Sequence, residues 1–341
     1  MRVKGWAAAA ALATGVAGAA AAGPRVAVDI APVHSLVARV MQGVGAPDLV
    51  LPPGASPHGY AMRPSEAAAL EAAEVVVWVG EELSPWMKDS IETLAADARV
   101  VTLLDVPDVT LLEFREGATF EAHAHGDDHA HGDDHAHDDD HAHDDDHAHD
   151  DDHAHDDDHA HGDDHAHSGV DPHAWLDPMN AVVWLDAIAA ALSAEDPANA
   201  STYFANAAEA KAELEALAER LAADLAPLRG RDFVVFHDAY HYFEARFGVE
   251  AAGAISLADG ASPSPSRLAE IREAIAGMDA ACVFTEPQFP PRLAETAVEG
   301  TGARLGTLDP VGASLELGPG LYPALIEGLA ADLAACLGET G

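Results

Sequence analysis

From residue 25 onward, the chain alternates between short runs that are apolar at nearly every position and longer stretches whose apolar residues recur at helical spacing. The first kind comprises "RVAVDI" (25–30), "DLVLP" (48–52), "VVVWVG" (75–80) and "RVVTLLD" (99–105). Between them lie "SLVARVMQGV", "RPSEAAALEAAE" and "SPWMKDSIETLAAD", the last two opening on serine-containing caps. Strand-length runs without a polar face predict a parallel sheet covered by helices on both sides.

After residue 177 the period changes. "PMNAVVWLDAIAAALSAED" and "PANASTYFANAAEAKAELEALAERLAADLAPL" read as two helices. The second, about thirty residues rising roughly 1.5 Å each, predicts a strut on the order of 45 Å long. Alternation then resumes with "DFVVFHD" (232–238), "VEAAGAIS" (249–256), "ACVFTEP" (281–287) and "ARLGTLDP" (303–310). The helical stretches "PSRLAEIREAIAG" and "PRLAETAVEGTG" separate these strands, and "LYPALIEGLAADLAACLG" ends the pattern. The expected fold class is α/β, with two lobes, each a parallel sheet flanked by helices, joined by one long rigid helix. The expected division is an N-terminal lobe over 23–178, linking helices over 179–229 and a C-terminal lobe over 230–341.

Residues 1–22 stand outside that pattern. Arg2 and Lys4 precede an alanine-rich stretch that closes in small residues at Ala20 to Ala22. This is the layout of a cleaved secretory signal peptide, and the apolar run is too short and too poor in Leu, Ile and Phe for a membrane span. No cysteine lies near the expected cut to accept a lipid anchor. The two cysteines, Cys282 and Cys336, form an even number in a chain that reads as exported, so a single disulfide is expected.

Residues 121–168 interrupt the first lobe with a different pattern. Seven hexads of HAHDDD or HAHGDD type are followed by a last HAH. They place histidines at His123, His125, His129, His131, His135, His137, His141, His143, His147, His149, His153, His155, His159, His161, His165 and His167. With no apolar side chain larger than alanine, the tract cannot offset its own ordering entropy and is expected to be a disordered loop. As a coil its 45 residues from His123 to His167 would span roughly 35 to 40 Å, enough to cover a cleft between lobes. Its 18 aspartates carry −18 of the formal net charge of −42, leaving −24 on the rest of the chain. Such a balance excludes a nucleic-acid partner, for which no basic footprint exists.

Five histidines lie elsewhere. His58 in "PPGASPHGYAMRPSE" follows a strand end, His173 in "DPHAWLDP" follows the tract, and His237 in "VVFHDAY" closes a strand of the second lobe. Ligands collect at the carboxyl ends of parallel strands, and three imidazoles from such positions in two lobes form a plausible zinc site. Each alone is more commonly a hydrogen-bonded structural residue; their common placement favours ligands. His241 lies four residues after His237, but a strand-terminal His237 spoils helical pairing. His34, in "DIAPVHSLV", is a weaker candidate.

The stretches "PHGYAMRPSEAAALEAAEVVVWVG", "DPHAWLDP", "FHDAYHYFE", "FTEPQF" and "LGTLDPVG", long and in order, resemble the ZnuA family, periplasmic zinc-binding proteins of ABC importers. An Asp/His-rich insertion at this point is also a habit of that family. The resemblance implies His58, His173 and His237 as zinc ligands, and Cys282 with Cys336 as its disulfide positions. Related manganese receptors typically use glutamate as third ligand, so His237 favours zinc. Some members place a glutamate before the first histidine; here that residue is Pro57, which has no donor. Water, a tract histidine or Asp309 remain as fourth ligand, with Asp309 matching the aspartate of manganese-type relatives. The implied partners are an inner-membrane ABC permease and a periplasmic zinc chaperone, with the protein a monomer in the periplasm.

Zn2+ is thus the expected metal, and a receptor rather than an enzyme the expected function, with the tract as accessory antenna or buffer. Three histidines with an open position also suit a secreted zinc hydrolase. Against that, no HExxH motif supplies a base, and Glu286 in "FTEPQF" can instead fix a ligand's orientation. A zinc buffer whose tract does all the binding is a third possibility, which leaves the folded histidines unexplained.

Overall fold

The computed structural model describes residues 23–115, 119–120, 169–256, 263–278 and 282–338. The expected signal peptide and the His/Asp-rich tract with its sixteen histidines lie outside them. Among the described residues, no helix is long and apolar enough to cross a membrane.

Each half of the chain forms a four-stranded, all-parallel sheet. In the first, β1 (Val26–Val28), β2 (Asp48–Leu49), β3 (Val75–Trp78) and β4 (Arg99–Thr102) lie in the order β2-β1-β3-β4. In the second, β5 (Phe233–His237), β6 (Gly253–Ser256), β7 (Cys282–Thr285) and β8 (Arg304–Thr307) repeat it as β6-β5-β7-β8. In the central strands β1, β3, β5 and β7 the apolar runs follow from burial on both faces. Val26, Val28, Val75 and Val77 join an inner core that continues through Phe233 and Val235. Ala27, Val76 and Trp78 point the other way and pack with Leu70 of α2 (Pro64–Ala72) and Met87 and Ile91 of α3 (Pro85–Leu94). Val234, Phe236 and Val283 likewise meet Ile271 and Ile275 of α7 (Pro265–Gly277) and Ala294 of α8 (Arg292–Val298).

The inner core is shared. α1 (Ala31–Val40), α4 (Pro178–Glu195), α5 (Ala200–Leu225) and α9 (Leu321–Leu337) pack on one another and contribute to one buried cluster touching both sheets. At roughly 1.5 Å per residue, the 26-residue α5 is about 39 Å long. Leu214, Leu217, Leu221 and Leu225 form its buried stripe. α6 (His241–Phe247), which no quoted pattern anticipates, follows β5 and ends at Gly248, whose φ of 68° is the left-handed conformation that stops a helix. Cys282 on β7 and Cys336 on α9 are joined by a disulfide, their Cα atoms 6.2 Å apart.

The serine caps behave differently from expectation. α2 starts at Pro64 with Arg63 as its cap, and Glu66 closes the turn by accepting from Arg63 N at 2.7 Å. Ser84 does precede α3, but its hydroxyl donates to the carbonyl of Pro57 at 3.3 Å instead of capping the helix. That exchange bears on the site, because Pro57 adjoins His58.

Candidate metal centre

His58 stands on the loop between β2 and α2. Trp86 Nε1 donates to the Pro57 carbonyl at 2.7 Å, alongside Ser84, so α3 fixes the backbone immediately before the histidine. His173 occupies the segment leading into α4, and His237 is the last residue of β5. The three come from different elements of both sheets' carboxyl ends and from the connector between lobes. Their ligand nitrogens all lie within 4.8 Å of one another, and His58 Nε2 is 3.2 Å from His173 Nε2. Two nitrogens each about 2.05 Å from a tetrahedral zinc stand about 3.3 Å apart, so this edge already has zinc spacing.

The ring nitrogens facing away are committed. His173 Nδ1 is 2.6 Å from Asp171 Oδ1, and His237 Nδ1 is 2.6 Å from Glu286 Oε1. A proton shared with a carboxylate at Nδ1 leaves Nε2 as the lone-pair nitrogen, the tautomer a metal needs. Both carboxylates also hold backbone: Asp171 Oδ1 accepts from His173 N at 3.0 Å and Glu286 Oε1 from His237 N at 3.3 Å. Burial pushes the Asp171 carboxyl up to about 7, against the His173 N–H and the nearby His241, Arg115 and His237, which favour its charged form. Trp175, Phe289, Pro57, Pro310 and Val311 complete an apolar wall around the imidazoles. Its donor set, neutral imidazoles with anionic support, fits Zn2+.

The other candidates are placed elsewhere. Asp309 is not brought into the three-histidine cluster. Its Oδ1 accepts from Val311 N (3.2 Å), Gly312 N (3.0 Å) and Gln288 Nε2 (3.1 Å) and closes its own turn, while Oδ2 is buried without a hydrogen-bond partner among the described residues. His34 is buried in α1 with Nε2 3.1 Å from the Pro47 carbonyl; burial lowers its pKa, so it is a neutral packing residue. His241 begins α6 with Nδ1 3.8 Å from Asp171 Oδ2, behind His173 rather than beside the metal position. Desolvation, then Arg115, lowers its pKa.

Two groups escaped the sequence-based reading. Asp171 is visible as the first residue of "DPHAWLDP", but nothing in that string assigns it to the His173 ring. Arg115, at the edge of the described segment before the tract, ion-pairs with Asp238 and with Glu244, whose contact is 2.6 Å. Desolvation opposes its charge, yet the two carboxylates outweigh it and raise its pKa. It ties the residues beyond the first sheet to β5 and α6. Leu112 N donating to Tyr242 Oη (2.9 Å) and Phe120 N to the Ala252 carbonyl (2.9 Å) do the same.

Fold and site define the class: a two-lobed α/β metal-binding protein of the solute-receptor type. Residues 26–336 match the family model described as zinc-uptake complex component A, periplasmic (ZnuA). The chain is 46% identical over 327 residues to a Brucella suis biovar 1 protein, covering 95% of this chain and 96% of that one. It is also 46% identical over 331 residues to one from Paracoccus denitrificans, covering 97% of each. Both relatives are named high-affinity zinc uptake system protein ZnuA. A crystal structure of ZnuA superposes with a TM-score of 0.70 at 23% identity, covering 92% of this chain and 99% of that one, a likeness of fold. The chain belongs to the ZnuA family.

Proposed function

We propose that the protein is the periplasmic zinc receptor of an ABC importer, and that His58, His173 and His237 hold its cargo ion between the two lobes. One observation carries this: three imidazole nitrogens converge within 4.8 Å, two of them backed by buried carboxylates that set the metal-binding tautomer. The names of the 46%-identical relatives support zinc as the ion and uptake as the purpose. Membership of a family of transport receptors speaks against hydrolysis, and both carboxylates beside the rings already serve imidazole protons.

Residues 1–22 would be removed on export, leaving lobes over 23–178 and 230–341 joined by 179–229. The protein would act as a monomer that receives zinc from a periplasmic zinc chaperone and hands it to an inner-membrane permease. Because α5 packs against α1, α4 and α9 in one core, wide hinge opening is disfavoured, and release would proceed by local movement around His58 or His237. The tract would gather zinc. Its histidines bind only when neutral, so capture should fail below about pH 6.5. Equilibrium dialysis of the full chain against zinc and manganese tests the assignment. One zinc held far more tightly than manganese is expected, and its disappearance from the H58A/H173A/H237A variant. Equal retention of both metals would reject it.

A further inference from the structure

The turn after β7 carries more than Glu286. Glu286, Pro287, Gln288 and Phe289 close on a bond from Phe289 N to the Glu286 carbonyl at 3.2 Å, with proline at the second position. Glu286 meets His237 Nδ1, and the Phe289 ring centroid lies 6.0 Å from that of His237. Gln288 lines the same cavity as the three histidines.

Its Nε2 donates to Asp309 Oδ1 at 3.1 Å. The opposite amide orientation would set a carbonyl against a carboxylate, two acceptors with no proton between them. Oε1 is therefore the end that faces away from Asp309, and it is buried without a hydrogen-bond partner among the described residues. A buried acceptor lacking a donor is costly, and three imidazoles leave one tetrahedral position on a zinc ion. Elsewhere in the wall, Trp175 Nε1 is spent on the Pro310 carbonyl at 2.7 Å, Pro57, Phe289 and Val311 have no polar side-chain atom, and the Glu286 carboxylate is engaged with the His237 ring and backbone.

We propose that Gln288 Oε1 accepts a hydrogen bond from the water filling the fourth position on the metal, and that Asp309 is a positioning residue that fixes the amide. This rests on the three-histidine proposal above. A metal-bound water is a strengthened donor, because the cation draws electrons from its oxygen. A neutral amide there also keeps the site imidazole-dominated, which suits zinc, where a carboxylate would add the oxygen character manganese prefers.

The test uses the full chain, with zinc affinity read from tryptophan fluorescence in zinc-buffered solution and geometry from the visible spectrum of the one-equivalent cobalt(II) form. Q288L should weaken zinc binding about tenfold and shift the cobalt band, as loss of an outer contact does. D309N keeps the Oδ1 acceptor for Gln288 Nε2, so the amide stays oriented and zinc affinity should stay within about twofold. Q288E/D309N restores an acceptor beside the metal and a donor–acceptor pair behind it. It should regain zinc affinity and bind manganese more tightly, a gain that damage to the fold could not produce. Q288L matching the parent, or D309N losing zinc as H237A does, overturns the proposal, the second by making Asp309 a ligand. A parent chain with no tight cleft zinc overturns the three-histidine site itself, and this proposal with it.

Discussion

Replacing Glu286 by glutamine isolates the charge behind His237. Glu286 is 3% exposed, so solvent screens its 2.6 Å contact with Nδ1 very little. Glutamine still offers a carbonyl oxygen to the Nδ1 proton, but the bond changes from charge-assisted, about 1.5–3 kcal/mol, to neutral, about 0.5–1.5 kcal/mol. The difference of about 1.4 kcal/mol corresponds to about tenfold in zinc affinity. E286A goes further, because Nδ1–H and the His237 backbone N–H both lose their acceptor and the ring loses its fixed tautomer; up to about hundredfold is expected. Chelator-buffered zinc titration reads this through fluorescence, since Trp175 has its ring centroid 5.3 Å from that of His173. If E286A bound zinc within twofold of the parent while the metal-free proteins melted alike, the carboxylate would not be setting the ligand's basicity.

Other outcomes follow from the same structure. The disulfide closes a loop with a sequence separation of 54, for which chain entropy gives about 4 kcal/mol; urea unfolding of C282S/C336S should show a loss of about 2–5 kcal/mol, and none if the reduced chain holds itself together. R115M leaves Asp238 and Glu244 buried, at 3% and 2% side-chain exposure, without their cation, and should cost about 3–5 kcal/mol in the same assay; an R115M/D238N/E244Q variant should recover part of it. Asp29, which accepts from Ile30 N (2.8 Å) and Val79 N (2.6 Å), is raised by burial to about 7 from 3.8. The folded state then holds a proton that the unfolded state releases, so this stabilisation is full below pH 3.8 and lost as pH rises to about 7. The unfolding free energy of the parent relative to D29N should fall across that window, and a flat difference would contradict the assignment.

The central strands β1, β3, β5 and β7 were legible because they are buried on both faces, so "VVVWVG" and "DFVVFHD" carry no polar alternation that could be mistaken for a surface strand, while the edge strands β2, β4 and β8 are partly exposed and show only through their apolar composition. Helix starts were less so. Ser84 looks like a cap, and only the folded chain reveals that Pro57 takes its hydroxyl. α1 begins at Ala31, before the "SLVARVMQGV" pattern, because Pro32 suits a first turn whatever the period. α6 has seven residues, too few for a period to emerge. At the site, His58, His173 and His237 could be named from strand ends and family motifs. The partners of their rings could not, since Glu286 lies 49 residues from His237 and no local spacing encodes that contact. Asp309 was drawn from a relative's pattern; its Oδ1 takes backbone bonds from Val311 and Gly312, while its Oδ2 is buried without a hydrogen-bond partner among the described residues.

On the proposed function, cargo zinc sits on three imidazoles between the lobes and not in the histidine tract. Calorimetric zinc titration of a protein lacking residues 123–167, with and without the H58A/H173A/H237A substitutions, tests it most directly. One tight site should survive the deletion and vanish with the three histidines. A deletion protein without a tight site, or a triple variant that keeps one, would contradict the account.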